Sequence, residues 1–362
     1  LGEVCIQITD GSHNPPSGVE QSEYLMLSSK NIDDDFITLD SPRFLSHSDY
    51  IAENKRTTVS EGDLLMTIVG TIGRVAIVPE ELKGICLQRS VAVIKPEREV
   101  VNNRYLMYQL QNMRPFLEKE ARGVAQKGIY LKQVSQLDIK LPELEHQMQI
   151  VKVLDKASKL IFLRRQQLAK LDELIKARFV EMFGDPVNNP MNYPKSQLGK
   201  VCDVRDGTHD SPEYYDVGYP LVTSKNVTGG KIDLSECNLI SEDDYKKICE
   251  RSKVDRGDII MPMIGTVGKP VIVNAEPMFA IKNVALIKFT PDSLVTNIYI
   301  KTLLESDYFD RAVLDKIRGG TQKFIALGDI RKLEIILPDL KHQQCFSAFV
   351  ERVDQQKQTV QQ

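Results

Sequence analysis

Apolar and polar residues alternate in two distinct rhythms along this chain. Between Asp63 and Val69 the apolar residues run almost unbroken, stop at Gly70-Thr71-Ile72-Gly73, and resume from Arg74 to Val78. Short apolar runs around a glycine-bounded reversal predict strand, tight turn, strand. Asn103–Glu120 and Asn297–Lys316 carry apolar residues three and four apart and predict amphipathic helices. Glu143 to Phe183 holds no Gly and no Pro, and Leu144, Val151, Leu154, Ile161, Leu168, Leu171, Ile175, Phe179 and Met182 recur three, four or seven apart. Charged residues and Gln fill the gaps. The pattern predicts one long helix with a coiled-coil seam. At ~1.5 Å per residue it would span about 60 Å. Pro142 suits its start and Gly184 its C-terminal cap, and Pro186, Pro190 and Pro194 then keep the chain extended.

The same rhythms come twice, at an offset between 193 and 197 residues. Leu1-Gly2-Glu3-Val4-Cys5 returns as Leu198-Gly199-Lys200-Val201-Cys202, and Asp10-Gly11-Ser12-His13 as Asp206-Gly207-Thr208-His209. Ser29-Lys30-Asn31 returns as Ser224-Lys225-Asn226, Asp49-Tyr50 as Asp244-Tyr245, and Gly62-Asp63 as Gly257-Asp258. Gly70-Thr71-Ile72-Gly73 returns as Gly265-Thr266-Val267-Gly268, and Gln126-Lys127 as Gln322-Lys323. Leu141-Pro142 and His146-Gln147 return as Leu337-Pro338 and His342-Gln343. The expected organisation is α+β: two similar mixed domains at 1–142 and 197–338, a helical spacer and linker at 143–196, and a distal helical region at 339–362. Leu340, Phe346, Phe349, Val353 and Val360 mark that last helix, which is expected to continue beyond Gln362. The start at Leu1, without an initiator Met, likewise suggests a piece of a longer chain.

An apolar seam on a long helix must be covered, and the nearest cover is the helix of the other repeat. Two copies pair most simply about a two-fold axis, which makes the helices antiparallel. They would then act as a ruler holding two related but different surfaces. DNA has a two-fold backbone, and a protein of this kind can offer one face to each of two half-sites. The expected target is therefore bipartite and asymmetric.

Composition narrows the alternatives. The 362 residues are 42% hydrophobic and 27% charged, an ordinary globular composition large enough for two domains. No apolar run approaches bilayer length. The net charge of −3 argues against a histone-like binder, yet a local basic face is what DNA requires. The six cysteines are scattered without a Cys-x-x-Cys pair, so they read as reduced thiols of a cytoplasmic protein, with no metal site expected.

Taken in order and in duplicate, these motifs resemble the specificity (S) subunit of type I restriction–modification enzymes. The similarity covers essentially the whole chain. It is carried by the Gly-Asp strand leading to Gly-Thr-x-Gly at 62–73 and 257–268, the Leu-Pro…His-Gln run before each helix, and the Met182-Phe183-Gly184-Asp185-Pro186 exit. The resemblance implies two target-recognition domains, each reading half of a split site in double-stranded DNA. It implies helical regions that dock two methyltransferase (modification) subunits, and a motor–nuclease restriction subunit in the full complex. Catalysis would belong to those partners, with no cofactor on this chain. The short second helix departs from the family's closing helix and puts docking at that end in question.

Motifs that could carry chemistry themselves have plainer readings. Asn14-Pro15-Pro16-Ser17 is close to the adenine-methyltransferase loop, but Ser17 replaces the aromatic that stacks on a flipped base, and no Phe-x-Gly-x-Gly methyl-donor loop exists. Gly265-Thr266-Val267-Gly268-Lys269-Pro270 lacks the first Gly and the Ser/Thr of a phosphate loop, so a hairpin fits better. Asp10-Gly11-Ser12-His13 and its copy could pair a nucleophile with a base, but a duplicated turn fits better. Lys30 and Lys225 could hold phosphates, while Asn31 and Asn226 could bond adenine edges. Arg74, Arg89, Lys269 and Lys282 flank the Gly-Thr-x-Gly turns, and Arg122, Lys127, Arg318 and Lys323 sit in Gly-rich loops. Each alone reads as a solvated charge, but the duplicated sets are candidate DNA contacts. The expected helix seam comprises Val151, Leu154, Ile161, Leu168, Leu171, Ile175, Phe346, Phe349 and Val353. Arg164 and Arg165 interrupt it, either snorkelling to solvent or facing a partner's acidic surface. Two rival readings are a solitary methyltransferase or nuclease, and a protein-interaction scaffold that binds no DNA.

Overall fold

The computed structural model describes residues 1–121, 127–264, 269–313 and 324–361, apart from the Arg56 side chain. The chain divides into two compact units, Leu1–Ile161 and Phe162–Gln362, and the division runs through the long helix. In the first unit the order is β1 (Cys5–Asp10), β2 (Tyr24–Leu27), β3 (Arg43–Leu45), α1 (His47–Arg56), β4 (Leu64–Thr67), β5 (Val75–Ile77), β6 (Ile85–Leu87), β7 (Val91–Pro96), α2 (Asn103–Asn112), α3 (Arg114–Glu120), α4 (Leu131–Ser135) and the start of α5 (Leu144–Phe183). The second unit follows with β8 (Lys195–Gln197), α6 (Leu198–Val201), β9 (Asp203–Asp206), β10 (Tyr219–Val222), β11 (Val227–Thr228), β12 (Lys231–Ile232), β13 (Asn238–Ile240) and α7 (Glu242–Ser252). It continues with β14 (Ile259–Pro262), β15 (Val271–Ile272), β16 (Ala280–Ile281), β17 (Val284–Lys288), α8 (Asn297–Leu304), α9 (Asp307–Val313), α10 (Leu327–Arg331), β18 (Glu334–Ile336) and α11 (Leu340–Gln361).

Duplication in sequence is duplication in topology. The first unit has an antiparallel sheet β1-β7-β4-β5 and a small mixed sheet β3-β2-β6, and the second unit repeats them as β9-β17-β14-β15 and β13-β10-β16. The continuous apolar run of β4 is explained by burial on both faces. Leu64 and Met66 pack with the helices around Tyr105 and Leu110, while Leu65 packs with Leu27, Leu87 and Val93 on the other side. In β14, Ile259 and Met261 face the helical core and Ile260 the other.

Several repeated motifs prove to be framework. Gly62 and Gly257 adopt positive φ, and the Asp that follows each accepts the amide three residues back, Ser60 N and Asp255 N, both at 2.8 Å. The same carboxylates receive Lys95 and Lys288 from the neighbouring strand, so Gly-Asp closes a turn and pins two strands together. Asp49 and Asp244 close N-terminal caps with Ser46 and Ser241, and the adjoining Tyr50 and Tyr245 stack on Tyr24 and Tyr219, ring centroids 4.4 and 4.2 Å apart.

The helices depart from the expected spans. Asn103–Glu120 breaks at Met113, because Pro115 lacks an N–H for a continuing helix and opens a fresh one instead. The matching region breaks at Glu305–Ser306. Helix α5 forms over all of its expected length, and Gly184, at φ +74°, donates to Val180 O to cap it. Within the second unit α11 runs antiparallel to α5: Phe346 meets Phe179 and Phe183, Lys357 pairs with Asp172, and Arg164 Nη1 donates to Val360 O at 2.7 Å. Arg164 stays exposed while making this bond.

The seam is covered only in part. Val151 packs on the first unit's core, Leu168 and Leu171 are half-buried, and Ile175, Phe346, Phe349 and Val353 lie in or against the second unit's packed interior. Leu154 and Ile161, expected in the seam, are 36% and 53% exposed. The reason is length. The 22 residues of α11 reach ~33 Å along a partner helix of about 60 Å, so nothing among the described residues covers this stretch.

Candidate nucleic-acid interface

Three chain segments meet at one edge of the first unit. Strands β2 and β6 run parallel, and their ends are stitched by Gln88 N donating to Leu27 O at 2.9 Å. The Asp10-Gly11-Ser12 segment lies flush against this junction: Ser12 N donates to Leu87 O at 2.7 Å and Arg89 N to Ser12 O at 2.9 Å. A Cβ on residue 11 would overlap the Leu87 carbonyl, which is why glycine stands there. The Ser28–Asn31 turn joins through Ser29 N, which donates to Ser90 Oγ at 3.0 Å. Ser90 O in turn accepts Ile68 N and Val69 N at 2.9 and 3.4 Å, at the root of the Gly70–Gly73 hairpin. Ser90 therefore gathers Lys30, Arg89 and the hairpin bearing Arg74.

The second unit builds the same junction. Lys282 N donates to Val222 O at 2.9 Å, Thr208 N to Ile281 O at 3.0 Å and Asn283 N to Thr208 O at 3.2 Å. Gly207 lies as close to the Ile281 carbonyl as Gly11 does to that of Leu87. Ser224 Oγ donates to Asn283 O at 3.3 Å, which brings the Lys225 turn alongside.

The side chains sort into two classes. Lys30, Arg89, Lys127, Lys225 and Lys269 are exposed, and none makes a side-chain hydrogen bond or ion pair with a described residue. Lys282 is half-buried, its ammonium on Ser211 Oγ at 2.6 Å. Arg74 sits 3.6 Å from Asp33. Asn31 and Asn226, expected to read adenine, are corrected to framework. Asn31 is 3% exposed, accepting Ser28 N at 3.0 Å and donating to Thr38 O and Asp40 O at 3.2 and 3.0 Å. Asn226 is 7% exposed and accepts Thr223 N and Oγ1 at 3.0 and 2.9 Å. Asn31 thus spends both its oxygen and its amino group on the turn, and Asn226 spends its oxygen in the same way, so neither can offer the paired edge that adenine needs. Arg122, Arg318, Lys323 and the second unit's Gly265–Gly268 lie outside the described residues.

The Asp-Gly-Ser/Thr-His motifs are not nucleophile–base pairs. Ser12 Oγ donates to Glu53 Oε1 at 3.0 Å and Thr208 Oγ1 accepts Asp210 N at 3.1 Å, while each imidazole turns to its own aspartate, His13 to Asp10 and His209 to Asp206, both at 2.8 Å. Pro16 O, in the Asn-Pro-Pro segment, accepts Arg43 Nη1 at 2.6 Å. His209 has a second partner, Asn283 Oδ1, 2.8 Å from Nδ1. Acceptors on both ring nitrogens favour the imidazolium, and the Asn283 and Asp206 bonds hold its pKa above the ordinary histidine value. A raised folded pKa contributes stability that is complete below the unfolded pKa and lost as pH rises through the folded one. His209→Gln should therefore flatten the fall in melting temperature of the second unit between pH 6 and 8. The effect is small because the ring is 60% exposed. An unchanged pH profile would show that the two bonds do not favour the charged ring.

Two groups of residues whose task sequence patterns did not show matter here. Asp33, Asp34 and Asp35 hold Arg74, Arg114 and Arg104 in turn. Arg104 also reaches Asp155 on α5, where Tyr108 donates to the same carboxylate at 2.7 Å. Burial and this hydrogen bond push the Tyr108 hydroxyl up to about 12. The sequence signal was an isolated acidic triplet, and nothing in its spacing names its partners. The second group is Gln147 and Gln343, fully buried, each bonded to one backbone amide and two carbonyls. Their repeated His-Gln motif was visible, but its task was not.

Comparison with known proteins adds a family to this geometry. A model of the type I restriction modification DNA specificity domain matches residues 27–173 and again 190–362. The chain is 24% identical over 320 residues to the type I restriction enzyme MjaVIII specificity subunit of Methanocaldococcus jannaschii, covering 83% of this chain and 74% of that one. A shorter stretch of 100 residues is 36% identical to the EcoBI specificity subunit of Escherichia coli, 27% of this chain and 21% of that one. Among solved structures, the type I restriction–modification S subunit from M. genitalium aligns over 99% of this chain and 89% of its own, with TM-score 0.53 and 13% identity, a likeness of fold.

Proposed function

We infer the roles of these surfaces from one premise: the chain belongs to the family of type I restriction–modification DNA specificity subunits. It is a non-catalytic subunit that recognises DNA within a larger complex. Each unit reads one half of a bipartite, asymmetric site, through the edge where the Asp-Gly-Ser/Thr-His segment, the Ser-Lys-Asn turn and the end of β6 or β16 converge. One observation carries this reading. The same junction is built twice on one topology, and each copy leaves a lysine exposed at the equivalent place, Lys30 and Lys225, while the repeated residues beneath are spent on the frame.

In this reading Lys30 and Lys225 hold phosphates and fix the register. Arg89 and Lys282 stand where the copies differ, Gln88-Arg89 against Lys282-Asn283, and supply base discrimination. Arg74, Lys127 and Lys269 flank the duplex. Arg122, Arg318 and Lys323 are assigned with them on the sequence repeat alone. The helices dock two modification subunits, with the apolar residues around Leu154 and Ile161 as part of that surface, and a restriction subunit completes the assembly. No helix among the described residues is long and apolar enough to cross a membrane; a cytoplasmic location is part of this proposal, because a subunit that reads DNA works where the DNA is.

The test is DNA binding by the complete chain with its modification subunits across a salt series. Lys30→Gln and Lys225→Gln should each lower the slope of log affinity against log salt by about 0.9 and weaken all sequences alike. Arg89→Gln should cost roughly 1–3 kcal/mol against the preferred base at one position in one half-site and leave the other half-site unchanged. A slope near zero in the unmodified protein would sink the reading.

A further inference from the structure

The first unit has a cleft of about 450 Å³ beside the Gly70–Gly73 hairpin, lined by Gly70, Thr71, Ile72, Arg74, Arg114, Glu118 and Lys127. Three of these side chains are cationic and one is acidic. The amides of Thr71 and Ile72 take no hydrogen bond among the described residues, although Gly70 N and Gly73 N are bonded to Lys127 O and Thr67 O at 3.2 and 2.8 Å. The cleft is held from both sides. Ile129 N donates to Ile68 O at 2.9 Å, which zips the Lys127 segment to the hairpin. Arg114 is anchored by Asp34 and by Gly73 O, which its Nε and Nη2 reach at 3.2 and 3.1 Å, leaving Nη1 without a described partner.

The acidic segment that anchors Arg114 also faces Arg74. Asp35 N donates to Val75 O at 3.0 Å and Val75 N reaches Asp34 Oδ1 at 3.4 Å, so residues 33–35 lie along the edge of β5. Arg104 clamps Asp35 with both amino groups, at 2.8 and 3.0 Å. Asp33 is thereby fixed 3.6 Å from Arg74 in a long, half-exposed pair, 36% and 47% accessible. Pairs of this kind are weak and easily exchanged. A phosphate offers a guanidinium two oxygens in matching geometry and displaces such a partner. In the second unit the aligned residues are Thr228, Gly229 and Gly230, so Lys269, aligned with Arg74, faces no acidic counterpart from that segment.

We propose that this cleft seats one phosphate of the DNA backbone, and that Asp33 occupies Arg74 until the phosphate replaces it. The inference rests on the DNA-reading role and adds to it a defined anion seat in the first reader, whose acidic triplet has no counterpart in the second reader's sequence. Arg74 and Lys127 are the ligands that meet the phosphate, Arg114 completes the cationic wall, and Asp33 is a competitor that lowers affinity for every sequence equally. Glu118, exposed on the cleft's rim, opposes an anion and must turn to solvent.

Salt-dependent DNA binding by the complete chain tests this, comparing Arg74→Gln, Lys127→Gln and Asp33→Asn with Lys30→Gln. The Arg74→Gln/Lys127→Gln double variant should reduce the log–log salt slope by about 0.9, the share of one phosphate, and each single variant by part of that, without altering which sequence is preferred. Asp33→Asn should tighten binding to matched and unmatched duplexes alike, about threefold, the size of a weak surface pair. Unchanged slopes in Arg74→Gln and Lys127→Gln, with a reduced slope in Lys30→Gln, would remove the seat and keep the DNA-reading role. Unchanged slopes in all three would remove both. Weaker binding by Asp33→Asn would reverse its assigned role. Inorganic phosphate at matched ionic strength should displace DNA no better than chloride; a phosphate-specific displacement abolished by Arg74→Gln would reassign the seat to a free anion.

Discussion

Phe346→Ala should destabilise the second unit by about 4 kcal/mol, the loss typical of a buried phenyl ring. Phe346 is fully buried and meets Phe179 and Phe183 edge-on, with ring centroids 5.6 and 5.5 Å away. Those two rings in turn meet Tyr299 at 5.6 and 5.1 Å. Four rings from α5, α8 and α11 thus share one knot, and removing the central one leaves a cavity that rigid helix backbones cannot close. Urea unfolding of the complete chain reads the effect. The transition of the unit holding residues 162–361 should move to lower urea while that of the first unit stays. A loss under ~1 kcal/mol would mean that the rings are not jointly packed.

Gln343→Leu should cost about 3 kcal/mol, although leucine is the more hydrophobic residue. The Gln343 side chain accepts Thr296 N at 2.9 Å and donates to Leu294 O and Pro338 O at 3.1 and 2.8 Å, out of contact with water. Leucine fills the space and orphans three buried backbone groups. Gln147 makes the matching set in the first unit, to Asn102 N, Val100 O and Pro142 O at 2.8, 3.1 and 2.8 Å. Gln147→Leu should therefore destabilise that unit by a similar amount. Each glutamine ties the first turn of a long helix to the strand-to-helix loop of its own unit. The check is the urea midpoint together with the salt-dependent DNA affinity. If both glutamine variants unfold where the parent does, these buried bonds contribute nothing net.

Local pattern was a good guide where one rule dominated. Helix α5 formed over its whole expected span because periodic leucines, the lack of Gly and Pro, and Gly184 as cap all agree. The Asp63–Val69 run gave its strand because it is apolar enough to be covered on both faces. Asn103–Glu120 was overextended because the periodicity continues through Pro115 while the backbone cannot. At Leu154 and Ile161 the spacing reports which residues share a face, and what covers that face is not a property of spacing.

Sequence by itself determined that two copies of one fold exist, that a Gly-Thr-x-Gly motif recurs in each and forms a hairpin in the first, and that a single long helix follows the first. Repetition, periodicity and turn chemistry are local properties, and they survive being read one residue at a time. Only the tertiary structure decided what the repeated residues are for. Gly11, Asn31, Asp63, Gln147 and their copies spend their hydrogen bonds and close contacts on the frame, while Lys30, Arg89 and Arg74 reach the surface from separate segments that Ser90 draws together. The physical reason is that a side chain's availability depends on which partners already satisfy it. Those partners sit far off in sequence, 61 residues apart for Ser29 and Ser90, where no motif spacing could place them.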